Sequence, residues 1–175
     1  MRIKASFLLV DGYNIIFAWD DLAKLTEVSL EAARDKLVEI MINFGAVISE
    51  RIIVVFDAYK VAGGVGSVTR RGDVTVIFTK ESETADAYIE KTSHELSREF
   101  SVRVASSDAL EQVIILSQGA IRVSAQELRR EVAAAAERVR ERINAMRPIK
   151  SNVLISNLDK QAIDWLERKR LDNGR

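Results

Sequence analysis

The sequence predicts an α/β fold with a mainly parallel central sheet, helices covering its faces and further helices at the C-terminus. Short continuous runs of Val, Ile, Leu and Phe, suited to strands buried on both sides, recur along the chain. Between them lie stretches with helical apolar spacing, and this alternation marks βαβ units. A chain of 175 residues with 47% hydrophobic content fills one core and is too short for two ordinary domains.

The first run, Ala5 to Val10, closes on Asp11. A helical pattern over Leu30 to Ile48 follows, with Ser29 placed to accept from its free amides. The second strand, Arg51 to Phe56, closes on Asp57. Ala58 to Gly72 then gathers Gly63, Gly64, Gly66 and Gly72 with Lys60, Arg70 and Arg71, and reads either as a mobile basic loop or as a plain surface connection. A third strand is expected at Val74 to Phe78, before Thr79, and a helix at Thr84 to Ser97. A fourth strand at Val102 to Ala105 leads to Ser106, a helix spans about Ala109 to Ser117, and a shorter strand runs from Ala120 to Val123.

Ser124 opens S-A-Q-E, a capping-box pattern that starts a long helix towards Met146, and Pro148 ends it. Asn157 to Arg170 reads as a final amphipathic helix, with Leu158, Ile163 and Leu166 or Trp165 available for docking. The expected organisation is a main domain over 1–147 and a helical tail over 148–175.

Basic and acidic residues balance at 26 each, so net charge gives no attraction to polyanions. Distribution is more informative. From Arg122 onward 13 basic residues face 8 acidic ones, leaving the C-terminal third at +5 and the rest at −5. The absence of cysteine removes disulfides, thiolate ligands and cysteine nucleophiles together. No signal-peptide pattern follows Arg2 and Lys4, and no apolar run approaches the ~18 residues of a membrane span. We expect a soluble cytoplasmic protein with no membrane partner.

In an open parallel sheet, ligands bind in the crevice outside the carboxyl ends of the strands. That edge is acidic here: Asp11 follows the first strand in D-G-Y-N, Asp57 closes the second in V-F-D-A, and Asp108 follows the fourth in S-S-D. Asp86 joins them from the first turn of the helix in E-T-A-D-A-Y-I-E, with Glu83 just before it. Two carboxylates about 4 Å apart repel by roughly 4 kcal/mol at an effective dielectric of 20, so such a cluster calls for a cation or a raised pKa. Mg²⁺ or Mn²⁺ suits a shallow oxygen-ligand site completed by substrate phosphate, and phosphodiester hydrolysis is the reaction class that follows. Any one of these acids alone is better explained as a helix cap or dipole partner; the coincidence of four favours function. Asn14 and Ser107 are weaker candidates for orienting a ligand.

The segments L-L-V-D-G-Y-N, I-V-V-F-D-A, V-I-F-T-K-E-S-E-T-A-D-A-Y-I-E, A-S-S-D and Q-G-A-I-R-V-S-A-Q-E-L together resemble the YacP-like branch of the NYN family, itself similar to PIN-domain nucleases. The resemblance covers about residues 5 to 145. It implies a PIN-like three-layer fold and a metal site of Asp11, Asp57, Asp86 and Asp108, with Asn14 beside them. It also implies Mg²⁺ or Mn²⁺ as cofactor, endonucleolytic cleavage of messenger RNA, and the ribosome as partner.

Lys60, Arg70, Arg71 and Lys80 are candidates for holding RNA phosphate, as are Arg129 and Arg130 on the long helix, although mixed charges at helical spacing usually mark a solvated face. His94 lies inside a predicted helix away from the strand ends and receives no catalytic role. Tyr13 and Trp19 are read as packing residues in preference to base-stacking platforms. A receiver-like phosphotransfer domain also gathers aspartates at strand ends, but it needs a lysine after its last strand, where Ser124 stands. A non-catalytic RNA or ribosome adaptor with the same fold is the other alternative.

Overall fold

The computed structural model describes residues 5–58, 66–107 and 119–146. The chain divides into two compact units, Met1–Glu137 and Arg138–Arg175. The expected helix over 109–117 and tail helix over 157–170 lie outside the described residues.

Six strands form one sheet: β1 (Ser6–Asp11), β2 (Glu50–Phe56), β3 (Ser67–Arg71), β4 (Val74–Phe78), β5 (Ser101–Ala105) and β6 (Ile121–Val123). Their spatial order is β3-β4-β2-β1-β5-β6, and every pairing is parallel except β3 with β4. The described helices are α1 (Gly12–Ala18), α2 (Asp20–Thr26), α3 (Leu30–Gly45), α4 (Ala85–Ser97) and α5 (Ala125–Met146). Among the described residues, no helix is long and apolar enough to cross a membrane.

Strand β1 lies at the centre and is buried on both sides. Leu8 and Val10 join the larger core with residues of α1, α2, α3 and the start of α5, whereas Leu9 joins a smaller core with Ala85 and Ile89 of α4. Helices therefore cover both faces of the sheet, which explains why its central strands read as unbroken apolar runs. Caps foreseen in the sequence form: Ser29 Oγ accepts from Ala32 N at 3.1 Å. At the start of α5, Ser124 N donates to Glu127 Oε2 at 2.7 Å while Glu127 N donates to Ser124 Oγ at 3.2 Å, closing the capping box in both directions.

The stretch expected to be loop as far as Gly72 is in part a strand. Ser67–Arg71 forms the antiparallel edge of the sheet, joined to β4 by the two residues Gly72 and Asp73. Gly72 has φ +62°, and Asp73 does not share a positive φ, the pattern of a type II′ hairpin turn. All five β3 residues are exposed, so no alternation of apolar and polar residues marked the strand in the sequence. Helices α1 and α2 were likewise not foreseen, each being only 7 residues long.

A half-buried ion cluster ties α5 to the sheet. Arg103 of β5 donates to Glu131 Oε1 at 2.5 Å and to Glu50 Oε1 at 3.2 Å, so its charge is compensated from a helix and from a neighbouring strand system.

The tightest packing lies directly beneath Asp11. A Cβ built on Gly12 would sit 2.2 Å from Phe56 Cε1, and Phe56 is itself wedged between Tyr13 and Phe78, at ring-centroid separations of 5.2 and 5.3 Å. Only glycine lets α1 begin so close to that ring. Gly12→Ala is therefore expected to destabilise the protein by about 1–3 kcal/mol, measured as a lower urea midpoint at unchanged slope.

Candidate active site

Reversal of chain direction in the sheet creates the site. From β1 the chain moves outward to β2 and the β3–β4 hairpin; α4 then carries it back across the sheet to β5, on the other side of β1. The carboxyl ends of β1 and β5 thus flank a topological switch point, where such sheets leave an open crevice. Asp11 is the last residue of β1, and Ser106 and Ser107 follow β5.

Asp11 is nearly buried, 4% exposed, and it caps α1: its Oδ1 accepts from Asn14 N at 3.1 Å and its Oδ2 from Asn14 Nδ2 at 3.2 Å. Ser107 Oγ donates to Asn14 Oδ1, so the Asn14 amide bridges the ends of β1 and β5 and its orientation is fixed on both sides. The candidates Asn14 and Ser107 are thus one unit with Asp11.

Asp86 arrives from the opposite layer. Ala85, Ile89 and Ser93 form the buried stripe of α4, which leaves Asp86 exposed in the first turn of the helix. Its carboxyl reaches that of Asp11. The Asp11 carboxyl is pushed up from an ordinary 3.8 to about 6: burial raises it most, hydrogen bonds from Asn14 oppose that, and the Asp86 charge with a hydrogen bond between the two carboxyls adds to the rise.

Asp57 follows β2 on the same edge, where its Oδ1 accepts from Ala85 N at 3.0 Å. Asp108 and Lys60 lie outside the described residues. Among the described residues, no three carboxylate or imidazole groups converge as a ready metal cage. The close pair is Asp11 with Asp86, and two carboxylates are what Mg²⁺ commonly takes from a protein when waters and substrate phosphate complete its shell. The donor set therefore fits a divalent cation.

The basic candidates separate. Lys80 is exposed two residues beyond β4, on the acidic edge. Arg70 and Arg71 pair in register with Thr75 and Val74, at the amino end of β4, about 13 Å along the strand from its carboxyl end. They also have acidic neighbours, Arg70 with Asp73 at 3.5 Å and Arg71 with Asp35 at 2.6 Å. Arg129 pairs with Asp21 at 3.0 Å and lies over the Trp19 ring at 4.8 Å; Arg130 is exposed on α5. Trp19 is buried and donates its indole N–H to Ala125 O at 2.9 Å, while the Tyr13 hydroxyl accepts from Arg34 at 2.9 Å. Both are packing residues. His94 is exposed near the far end of α4.

A mainly parallel sheet covered by helices on both faces, with a pair of interacting carboxyls at its switch point, defines an α/β domain of the kind PIN-like nucleases present. The chain belongs to the YacP-like NYN domain family, whose model matches residues 8–171 and so extends through most of the C-terminal segment. It is 47% identical over 137 residues to YacP of Bacillus subtilis (strain 168), covering 78% of this chain and 80% of that protein. It is also similar to the crystal structure of Rae1 (YacP) from Bacillus subtilis, with a TM-score of 0.70 at 41% identity, covering 94% of each chain. A point mutant of the same Bacillus subtilis protein matches with a TM-score of 0.70 at 43% identity, over 82% of this chain and 84% of that one. Family membership sets the receiver-like alternative aside.

The raised Asp11 pKa fixes the direction of a pH effect. Between pH 3.8 and about 6 the folded protein holds a proton at Asp11 that the unfolded chain has released. The stabilisation is complete below the unfolded value and is lost as pH rises through the folded one. Asp11→Asn retains a good helix cap without the charge. Metal-free Asp11→Asn should match wild type in stability near pH 4 and exceed it, on the order of 1–3 kcal/mol, above pH 7, as thermal melts across pH would show.

Proposed function

We propose that the protein is a divalent-metal-dependent endoribonuclease that cleaves messenger RNA, working in association with the ribosome. The observation that carries this reading is the buried Asp11 carboxyl facing Asp86 at the switch point, within a family of PIN-like nuclease type. Ribosome association and messenger RNA as substrate rest on the family resemblance alone.

Asp11 and Asp86 would hold Mg²⁺ or Mn²⁺. When bound, such an ion neutralises the paired carboxylates and the charge that develops on the scissile phosphodiester. The chain's own groups prepare the position: Asn14 holds both Asp11 oxygens, Ser107 holds Asn14, and Asp11 itself is buried. Cation binding competes with the proton at Asp11, so Mn²⁺ affinity should rise with pH up to about 6 and level off above it.

Purified protein incubated with structured or unstructured RNA, with and without ribosomes, and with Mn²⁺ or EDTA, tests chemistry and partner together. Asp11→Asn and Asp86→Asn should each lower cleavage by at least ~100-fold, beyond what loss of a supporting residue usually costs, with circular dichroism unchanged. Full activity in both variants would refute the assignment.

Lys80, exposed beyond β4 on the acidic edge, is the candidate we assign to RNA phosphate among the described residues. Replacing Lys80 with Ala should flatten the salt dependence of binding to single-stranded RNA by about 0.7 in log–log slope for one lost phosphate contact, as filter binding across salt concentrations would measure. An unaltered slope would remove Lys80 from the interface.

A further inference from the structure

Asp57 looks from its sequence position like one more ligand in the acidic crevice, yet one of its carboxylate oxygens is engaged by a helix. Its Oδ1 accepts from the backbone N–H of Ala85, the first residue of α4, at 3.0 Å. The local N-cap, Thr84, separately accepts from Ala87 N at 3.2 Å, so α4 is capped twice, once from within and once from strand β2. The second cap joins two elements that are otherwise separate in sequence.

The backbone around Asp57 is clamped by a single residue of the adjacent strand end. Thr79 N donates to Phe56 O at 2.9 Å, immediately before Asp57, and Ala58 N donates to Thr79 Oγ1 at 3.1 Å, immediately after it. Thr79 is 2% exposed and Ala58 is likewise buried. With the main chain held on both sides in this way, Asp57 Oδ1 is placed at the first amide of α4.

Asp86 is the next residue along that helix. It faces Asp11, which repels it when both are ionised, so an unrestrained α4 terminus would relax outward. We infer that Asp57 is a positioning residue: anchored by Thr79, it ties the N-terminus of α4 to the end of β2 and thereby holds Asp86 against Asp11. This rests on the metal-nuclease reading above and assigns Asp57 a role distinct from cation ligation.

The two roles respond differently to substitution. Asp57→Asn keeps an oxygen acceptor for Ala85 N and discards the charge a cation needs, whereas Asp57→Ala discards both. Positioning predicts that Asp57→Ala loses Mn²⁺ affinity and kcat by ~10–100-fold, as is usual for residues that support a metal ligand. Asp57→Asn should recover most of both. Amide hydrogen exchange should show Ala85 deprotected in the Ala variant and protected in the Asn variant. Equal loss of Mn²⁺ affinity in both variants, with Ala85 still protected in the Asn variant, would make Asp57 a ligand and overturn the inference. Wild-type Mn²⁺ affinity and kcat in a folded Asp57→Ala variant would reduce it to a stability cap and overturn it too.

If Asp57→Ala does not fold, Thr79→Val removes the acceptor for Ala58 N and leaves Asp57 intact. It should loosen Ala85 and weaken Mn²⁺ binding in the same direction, and wild-type values would count against the inference. Failure of the metal reading itself appears separately, as wild-type protein that binds no Mn²⁺. The inference is then decided by Ala85 protection and by the Asp11–Asp86 separation in metal-free crystals, and an unchanged separation in Asp57→Ala or Thr79→Val rejects it.

Discussion

The architecture turns on one unfavourable contact, the juxtaposition of the Asp11 and Asp86 carboxyls at the end of a buried strand. Burial and a like charge both act against ionisation of Asp11, and the hydrogen bonds from Asn14 only partly offset them. Such a contact persists only where surrounding structure over-determines it. Here Asp11 is fixed from below by the Gly12–Phe56 contact and laterally by Asn14 and Ser107, while Asp86 is carried on a helix packed through Ala85, Ile89 and Ser93. The energy is supplied by the two cores on either face of the sheet, which are made almost wholly of apolar side chains.

Topology supplies the other half of the constraint. Because β1 is central and the chain leaves it in one direction and returns on the other side, the carboxyl ends of β1 and β5 flank the gap of a topological switch point. Asn14 spans that gap with a single amide. Its Nδ2 must face Asp11 and its Oδ1 must face Ser107, so the amide has one orientation, and the geometry of the acid follows from the packing of two strands.

Much of this was legible in the sequence because burial on both faces writes a strong signal. The runs ending at Val10, Phe56, Phe78 and Ala105 became β1, β2, β4 and β5 with ends shifted by a residue or so, and Asp11 and Asp57 stand at the carboxyl ends of β1 and β2. Strand β3 was invisible because an exposed edge strand buries nothing, and its Val68 and two arginines have no apolar alternation to display. α1 and α2 were hidden by brevity, and although Trp19 between them reads as a packing residue, its indole bond to Ala125 O is not legible. Asp57 was placed on the right edge, but its bond to Ala85 crosses from strand to helix, a contact no local pattern encodes.

The placement of charge bears on how RNA and cation would depend on each other. Arg70 and Arg71 sit at the far edge of the sheet beside Asp73 and Asp35, whereas Lys80, exposed beyond β4, and Arg34, held between the Tyr13 hydroxyl and the Phe78 ring, are described cations near the acidic edge. Paired carboxylates repel phosphate, and two carboxylates without the ligands that phosphate and water supply are incomplete for Mg²⁺. Each ligand would therefore lower the cost of admitting the other, and by linkage the coupling free energy is the same from either side. Such a site discriminates by requiring both at once: free RNA meets repulsion, and a free cation meets a two-carboxylate site that holds a proton at Asp11 up to about pH 6.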